Sequence, residues 1–493
     1  MSFINDTWYG PEKIMLAIDI GTTYSAVSYS YLYKGGPRSI TSVSNWPDQR
    51  RQAGEPKVPT LIWYDQDKKP VRHGASALVA NAMEAKENGW QLAKLFKLNL
   101  HPETMRSEHQ LKTSDLPDGI PLTQIYSDFI QYLLQHTRHF FETRVVEGES
   151  VWNNHINSAD IIITHPNGWG IHEQDVLRKA AISAGCPDPT KTTAHIHFLT
   201  EAEASVHFCM LKANIGSDWL KPGVQFVVCD AGGSTVDITT YEVTRTNPSL
   251  LLEEKRASAC IQAGAIFIDE AATGHLRRLL SNPEWVAYAK FDNSDIEDSI
   301  RRGIENFDFE KKSFGPRDGL RLEVVSSRFK YEANGLQIRR GELLLSQGVI
   351  STVASFFDPC VDMIVVALKG QIMTLDINHI LLVGGFGESP YLRQKLIHTM
   401  ANENRQITIA NDLTAKAVAE GALVWGTQPS VNSRACRFSY GISARDIYHP
   451  DDEEHKGRDI VRSLDGKNRV DYVWSPIVAR GQVIKAKEMS SRE

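Results

Sequence analysis

Two stretches of this chain bring a carboxylate, glycines and hydroxyl side chains together within a few residues: Asp19-Ile20-Gly21-Thr22-Thr23 and Asp230-Ala231-Gly232-Gly233-Ser234-Thr235-Val236-Asp237. Glycine lets backbone N–H groups approach an anion with no Cβ in the way, and Thr or Ser hydroxyls add further donors. A carboxylate that opens such a loop can hold a magnesium ion, directly or through ordered water. The chemistry that fits is capture of a polyphosphate with its divalent cation. One copy alone would also suit an ordinary hairpin turn; two copies about half a chain apart point to a clamp.

The surrounding elements are of the kind that would hold such loops in place. Ile14-Met15-Leu16-Ala17-Ile18 precedes the first loop and Phe226-Val227-Val228-Cys229 the second, short apolar runs that read as buried strands. The chain returns through Ala26-Val27-Ser28-Tyr29-Ser30-Tyr31 and Ile238-Thr239-Thr240-Tyr241-Glu242-Val243, so each loop is the tip of a hairpin. A strand over Asp376–Val383 runs into Gly384-Gly385-Phe386-Gly387-Glu388-Ser389-Pro390, where Ser389 suits a helix cap and Pro390 a first turn. A nucleotide base or ribose could pack on that glycine backbone. Ile125–Thr143 reads as an amphipathic helix and Ala159–Thr164 as a strand. Glu173–Ala184 reads as a helix closed by Gly185 with Pro187 beyond, and Thr200-Glu201-Ala202-Glu203 opens another. Ala75–Leu98 reads as helical to its end at Leu95-Phe96-Lys97-Leu98.

A chain of 493 residues with 42% hydrophobic residues has ample length for a large core. Its net charge of −6 and lack of long Lys/Arg runs argue against nucleic acid as the main partner. The six cysteines are scattered, form no C-x-x-C pair and lie mostly in apolar context, which reads as free buried thiols in a reducing compartment. No apolar stretch approaches the length needed to cross a bilayer, and the N-terminus has no leader pattern; the expectation is a cytoplasmic or nuclear protein. His195-Ile196-His197 alternates as metal ligands can, but no further His or Cys follows at suitable spacing, so a strand-borne pair without metal is expected.

Taken together, the loop Asp19–Ser25, the loop Asp230–Asp237 and the turn Val383-Gly384-Gly385 resemble the ATPase domain of the seventy-kilodalton heat-shock proteins, within the actin-like superfamily. The resemblance runs from about Ile14 to Trp425 and is nearest to the short, divergent subfamily-twelve branch. It implies an α/β fold of duplicated actin-like type, with two lobes around a nucleotide cleft (1–215 and 216–427) and a short β-rich C-terminal appendage (428–493).

By position, the resemblance implies that Asp19 and Asp230 hold hydrated Mg²⁺, while Gly21, Thr22, Thr23, Tyr24, Gly232, Gly233, Ser234 and Thr235 line the phosphates of ATP or ADP. Asp237 and Glu201 would orient the attacking water. The family's lysine near the terminal phosphate falls on Lys97 or on Lys94, with the apolar spacing of Leu98-Asn99-Leu100 favouring Lys97. Asp308, Lys311 and Lys312 match a helix segment that grips adenosine in the family, although a solvated helix face fits them equally. Gly384, Gly385, Phe386 and Gly387 would lie on the other side of the base, and Pro166 matches the proline that links the lobes. Where the family has two glycines and then two acidic residues, this chain has Ala263-Gly264-Ala265-Ile266-Phe267-Ile268-Asp269. The family's leucine-rich linker and the length for its peptide-binding domain are absent after Gly426.

The resemblance therefore implies slow Mg-dependent ATP hydrolysis coupled to lobe movement, with a protein client or co-chaperone as partner and neither nucleic acid nor membrane. Two other readings stand beside it. One is a nucleotide-sensing scaffold without meaningful turnover. The other is a small-molecule kinase of the same fold, though no dedicated Asp base or substrate pocket is evident in the first lobe.

Overall fold

Strands Lys13–Asp19 and Tyr24–Leu32 pair antiparallel from Lys13↔Leu32 to Asp19↔Ala26, leaving residues 20–23 as the turn. Strands Gln225–Ala231 and Val236–Arg245 do the same from Gln225↔Glu242 to Ala231↔Val236. Both leading strands are buried on either face, as their unbroken apolar runs demand. In each case the leading strand is also parallel to a later one: Lys13–Asp19 to Asp160–His165, and Gln225–Ala231 to Ile377–Val383. A further parallel strand extends each sheet, Ile196–Thr200 in the first and Gln406–Ile409 in the second. The architecture is thus mixed α/β. The computed structural model describes residues 7–485 except 50–53, 80–81, 104, 106–112, 114, 187–191, 213–220, 247–249, 316–318, 334, 346–349, 410–415 and 429; Pro187 lies outside these.

The helix Leu122–Glu142 packs Ile125, Phe129, Leu133 and Phe140 into the core of the first sheet, the stripe expected of a 3.6-residue period. Two helices, Glu201–Lys212 and Ala417–Thr427, pack on both sheets: Ala204, Val418, Ala422 and Leu423 meet Met15, Ala17 and Ile162, while Val206, Phe208 and Ala417 meet Phe226 and Val228. Cys186, Cys209, Cys229 and Cys360 are buried and Cys260 and Cys436 half-buried, all as free thiols. Among the described residues no helix is long and apolar enough to cross a membrane.

One expected element is different. In place of a single helix over Ala75–Leu98 there are short helices Gly74–Val79 and Ala82–Asn88, a strand Gln91–Lys94 and a 3₁₀ turn Phe96–Leu100. Gly89 takes a left-handed φ of 65° after the second helix, and Gln91–Lys94 then pairs with Leu61–Tyr64, a long-range partner that local periodicity does not reveal.

The C-terminal segment joins the second sheet. Val431–Ala435 lies parallel to Leu251–Glu254, and Val483–Lys485 lies antiparallel to Val431–Ala435. Between them a separate three-stranded sheet is built from Tyr440–Ile447, Asn468–Val478 and Ile460–Arg462. The junction is anchored at three points: Arg434 Nε donates to Glu203 (2.8 Å), Ser430 N–H to His207 Nε2 (3.0 Å) and Ala435 N–H to Glu254 (3.0 Å).

Candidate functional site

The tips of the two hairpins face each other. A Cβ placed on Gly233 would lie 2.9 Å from Thr23 Oγ1, so the second loop approaches the first at side-chain contact distance. Around this point opens a cavity of about 310 Å³ whose walls include Asp19, Gly21, Thr22, Thr23 and Tyr24 from the first hairpin and Asp230, Gly232, Gly233, Ser234 and Thr235 from the second. Lys97, Glu201, Asp308, Lys311, Lys312, Gly384, Gly385 and Phe386 form part of the remaining wall. Of the residues singled out in the sequence, Asp237, Gly387, Pro166 and Lys94 do not line it: Asp237 is buried opposite Asp230 in the hairpin, and Gly387 sits against Leu382.

The second loop is fixed by the start of the helix Ala265–Leu280. Gly264, Ala265 and Ile266 donate their N–H groups to the carbonyls of Ser234, Gly232 and Gly233 at 2.9, 3.3 and 2.9 Å. With these carbonyls taken by the helix, the loop offers its other edge to the cavity. Gly264 allows the contact, since a Cβ there would sit 2.5 Å from the Gly233 carbonyl and Ser234 nitrogen. Gly384, at the end of the Ile377–Val383 strand, has a φ of 85° and touches the Ala231 carbonyl and Asp230 carboxylate, where a Cβ would come within 2.4 Å. The segment 263–269, a departure in sequence, is therefore part of the frame of the site.

At one end of the cavity carboxylates gather around a buried lysine. Lys97 Nζ is 2.7 Å from Glu201 Oε1, and its side chain is only 4% exposed. Burial alone would lower its pKa, but Glu201 and then Asp19 outweigh that and hold it above the usual lysine range. Burial raises Asp19, with Glu201 adding to the rise and Lys57, Lys97 and a hydrogen bond from Thr164 opposing it. Asp230 is pushed up to about 7 by burial and the nearby carboxylates, against the 2.5 Å hydrogen bond it accepts from Ser205. Asp237 is likewise pushed up to about 7 by burial and Glu201; it accepts the Asn167 N–H at 2.9 Å. Lys94, by contrast, is exposed on its strand.

At the other end Lys311 is buried and sits 2.6 Å from both Asp269 and Asp308, while Lys312 lies 5.2 Å from the Tyr24 ring centre. Burial holds Asp269 at about 6, and Tyr24 rises to about 12 through burial and the carboxylates of Asp308 and Asp269. Phe357 and Phe386 supply apolar wall, their rings 6.4 Å apart. Ser389 accepts from Leu392 N–H and caps the helix Pro390–Ala401.

Several cavity residues were not assigned to the site from the sequence: Glu55, Lys57, Phe357 and Val418, and Ala265 and Ile268 of the altered segment 263–269. Lys57 could have been suspected from its place just before Pro59-Thr60, a strand beside the first loop; the others carry no local signal. His195 and His197 both approach Asp160 Oδ1, at 3.1 and 3.5 Å, with Lys13 on its other oxygen. Among the described residues no group of three or more His, Cys, Asp or Glu side chains is arranged to hold a metal alone.

The resemblance to the seventy-kilodalton heat-shock proteins extends over nearly the whole chain. Heat shock 70 kDa protein 12A of Mus musculus is 21% identical over 508 residues, and that of Homo sapiens 22% over 515, each spanning 88% of this chain and 72% of the relative. Heat shock 70 kDa protein 12B of Homo sapiens is 19% identical over 512 residues, spanning 89% and 72%. No family model matches the sequence.

Proposed function

We propose that the chain is an ATP-binding protein of duplicated, two-lobed actin-like ATPase type, divided near residues 215 and 427, that hydrolyses ATP slowly and couples nucleotide state to lobe movement. The observation that carries this reading is the meeting of two glycine-hydroxyl loops, Thr23 against Gly233, at the mouth of one cavity. Backbone N–H groups at both tips and the hydroxyls of Thr22, Thr23, Ser234 and Thr235 would cradle the phosphates. The base and ribose would extend towards Lys311, Lys312, Asp308 and Phe386, along the Gly384–Gly387 turn.

The phosphate end suits a divalent cation. Asp19, Asp230 and Glu201 line the cavity with Lys57 and Lys97, Arg437 adds its charge towards Asp237, and burial together with the neighbouring carboxylates raises Asp230 to about 7. Asp19 and Asp230 would hold hydrated Mg²⁺, which supplies charge neutralisation on the phosphates. Glu201, on the cavity wall, and Asp237, held by Asn167 beside Asp230, would orient the attacking water and take up its proton. Lys97 faces the charge that develops on the transferred phosphoryl group. Phosphate release should be measured for wild type, Asp19→Asn and Asp237→Ala; equal turnover in all three would overturn the assignment.

One observation favours the alternative of a nucleotide sensor with little turnover: the ammonium of Lys97 is already paired with Glu201. Tight ATP binding by calorimetry without phosphate release would select it. A chaperone role with a protein client follows the heat-shock resemblance, and a cytoplasmic location the scattered free thiols; the role is tested by suppression of aggregation of an unfolded substrate.

A further inference from the structure

The cavity holds a second lysine at its phosphate end, on an element the resemblance does not mark. Strand Lys57–Pro59 pairs with the return strand of the first hairpin, with Ala26 opposite Lys57, and Ala26 is in turn opposite Asp19. Residues directly opposite across neighbouring strands share a face of the sheet. Asp19, Ala26 and Lys57 therefore form a row on one face, and the small methyl of the central Ala26 leaves room for the long lysine to cross towards the carboxylate. Both ends of the row line the cavity.

The strand is held in this position from two sides. Thr60 N–H donates to the Thr23 carbonyl at 2.9 Å, the Ser25 and Thr60 hydroxyls meet at 2.8 Å, and Gln49 donates to the Lys57 carbonyl at 2.8 Å. Among the described residues Lys97 is locked to Glu201, whereas Lys57 makes no ion pair within 4.0 Å.

We propose that Lys57, extended across Ala26 to the floor of the cavity beside Asp19, contacts the terminal phosphate of a bound nucleoside triphosphate and makes the site prefer triphosphate to diphosphate. The inference rests on the nucleotide-binding reading above. Row position supports the terminal phosphate as target: Ala26 lies two residues deeper in the hairpin than Tyr24, whose ring is next to Lys312 at the other end. A lysine with a flexible stem can follow a phosphate as a point charge and needs no fixed fork geometry.

The test is calorimetric titration of the full chain with ATP and with ADP, in magnesium, for wild type, Lys57→Met, Lys57→Gln and Lys57→Arg. Loss of one charged hydrogen bond should weaken ATP binding about 10-fold or more in Lys57→Met and Lys57→Gln, and ADP binding less than about 3-fold. Lys57→Arg should retain most of the preference. Equal losses for the two nucleotides, or none, in whichever neutral variant folds with an unchanged melting temperature would overturn the proposal while leaving the nucleotide site standing. Failure of wild type to bind either nucleotide would overturn the parent reading and this inference with it.

Discussion

The main-chain N–H of Asn167 donates to the side chain of Asp237 at 2.9 Å, joining the loop after the Asp160–His165 strand of the first sheet to the return strand of the second hairpin. The Asn167 side chain adds a second tie, donating to Thr239 at 3.1 Å. The same carboxylate also takes a hydrogen bond from the Cys260 thiol, its opposite neighbour on the next strand. Asp237→Asn keeps the shape of the group and removes its basicity. Turnover is expected to drop about 10²-fold while nucleotide affinity stays within about 3-fold, read by single-turnover phosphate release beside calorimetry.

The same carboxyls make stability depend on pH. Asp230 and Asp237 titrate at about 7 in the folded protein, against 3.8 for a free aspartate, with burial the largest cause in each. The folded state therefore holds protons that the unfolded chain gives up near pH 4. Their contribution is complete below about pH 4 and is lost as pH rises through about 7. Melting temperature without nucleotide should fall between about pH 5 and 8, and less steeply in Asp230→Asn/Asp237→Asn. Binding of magnesium and ATP near neutral pH should release protons, seen as a buffer-dependent heat; identical heats in buffers of different ionisation enthalpy would argue against it.

Gly264 provides a steric test. Its Cβ-free contact with Gly233 and Ser234 is at 2.5 Å and against backbone, which cannot move aside. Gly264→Ala should cost about 1–3 kcal/mol in denaturant unfolding and displace the second loop enough to weaken nucleotide binding. Gly274, in the same helix, has open space around it, and Gly274→Ala should stabilise by up to about 1 kcal/mol with binding unchanged.

Lys97 and Lys94 should separate cleanly. Lys97→Met leaves Glu201 without its partner in a buried setting, so a loss of about 3–5 kcal/mol is expected, and turnover should fall with it. Lys97→Met/Glu201→Gln should recover part of the stability and none of the turnover. Lys94→Met should stay within about 0.5 kcal/mol of wild type, with unchanged phosphate release.

Local patterns carried much of this site. The hairpin strands, their turn residues and the capped helix after Ser389-Pro390 depend on neighbours in sequence, and each was legible there. Glu55, Phe357 and Val418 reach the cavity because distant elements pack together, and nothing within a few residues of them signals it; Lys57 had only its place before Pro59-Thr60 to suggest it, and Ile268 only the altered segment 263–269. Gln91–Lys94 was read as helix for a related reason: its strand geometry is imposed by Leu61–Tyr64, some thirty residues earlier. The burial of Lys311 between Asp269 and Asp308 was equally hidden, since from sequence the helix end could as well have faced water.

Ala435 and Val483 stand opposite each other where the chain leaves and re-enters the second sheet, and Cys436 exchanges backbone hydrogen bonds with Gly481 and Gln482 just beyond. Everything from 438 to 480 thus passes through a single doorway, while Arg437, whose charge bears on Asp237 and Glu254, belongs to the frame. Such a module can be exchanged like a cartridge: a tight turn could bridge the gap, or an unrelated insert could be fitted there, without cutting any other element of the molecule.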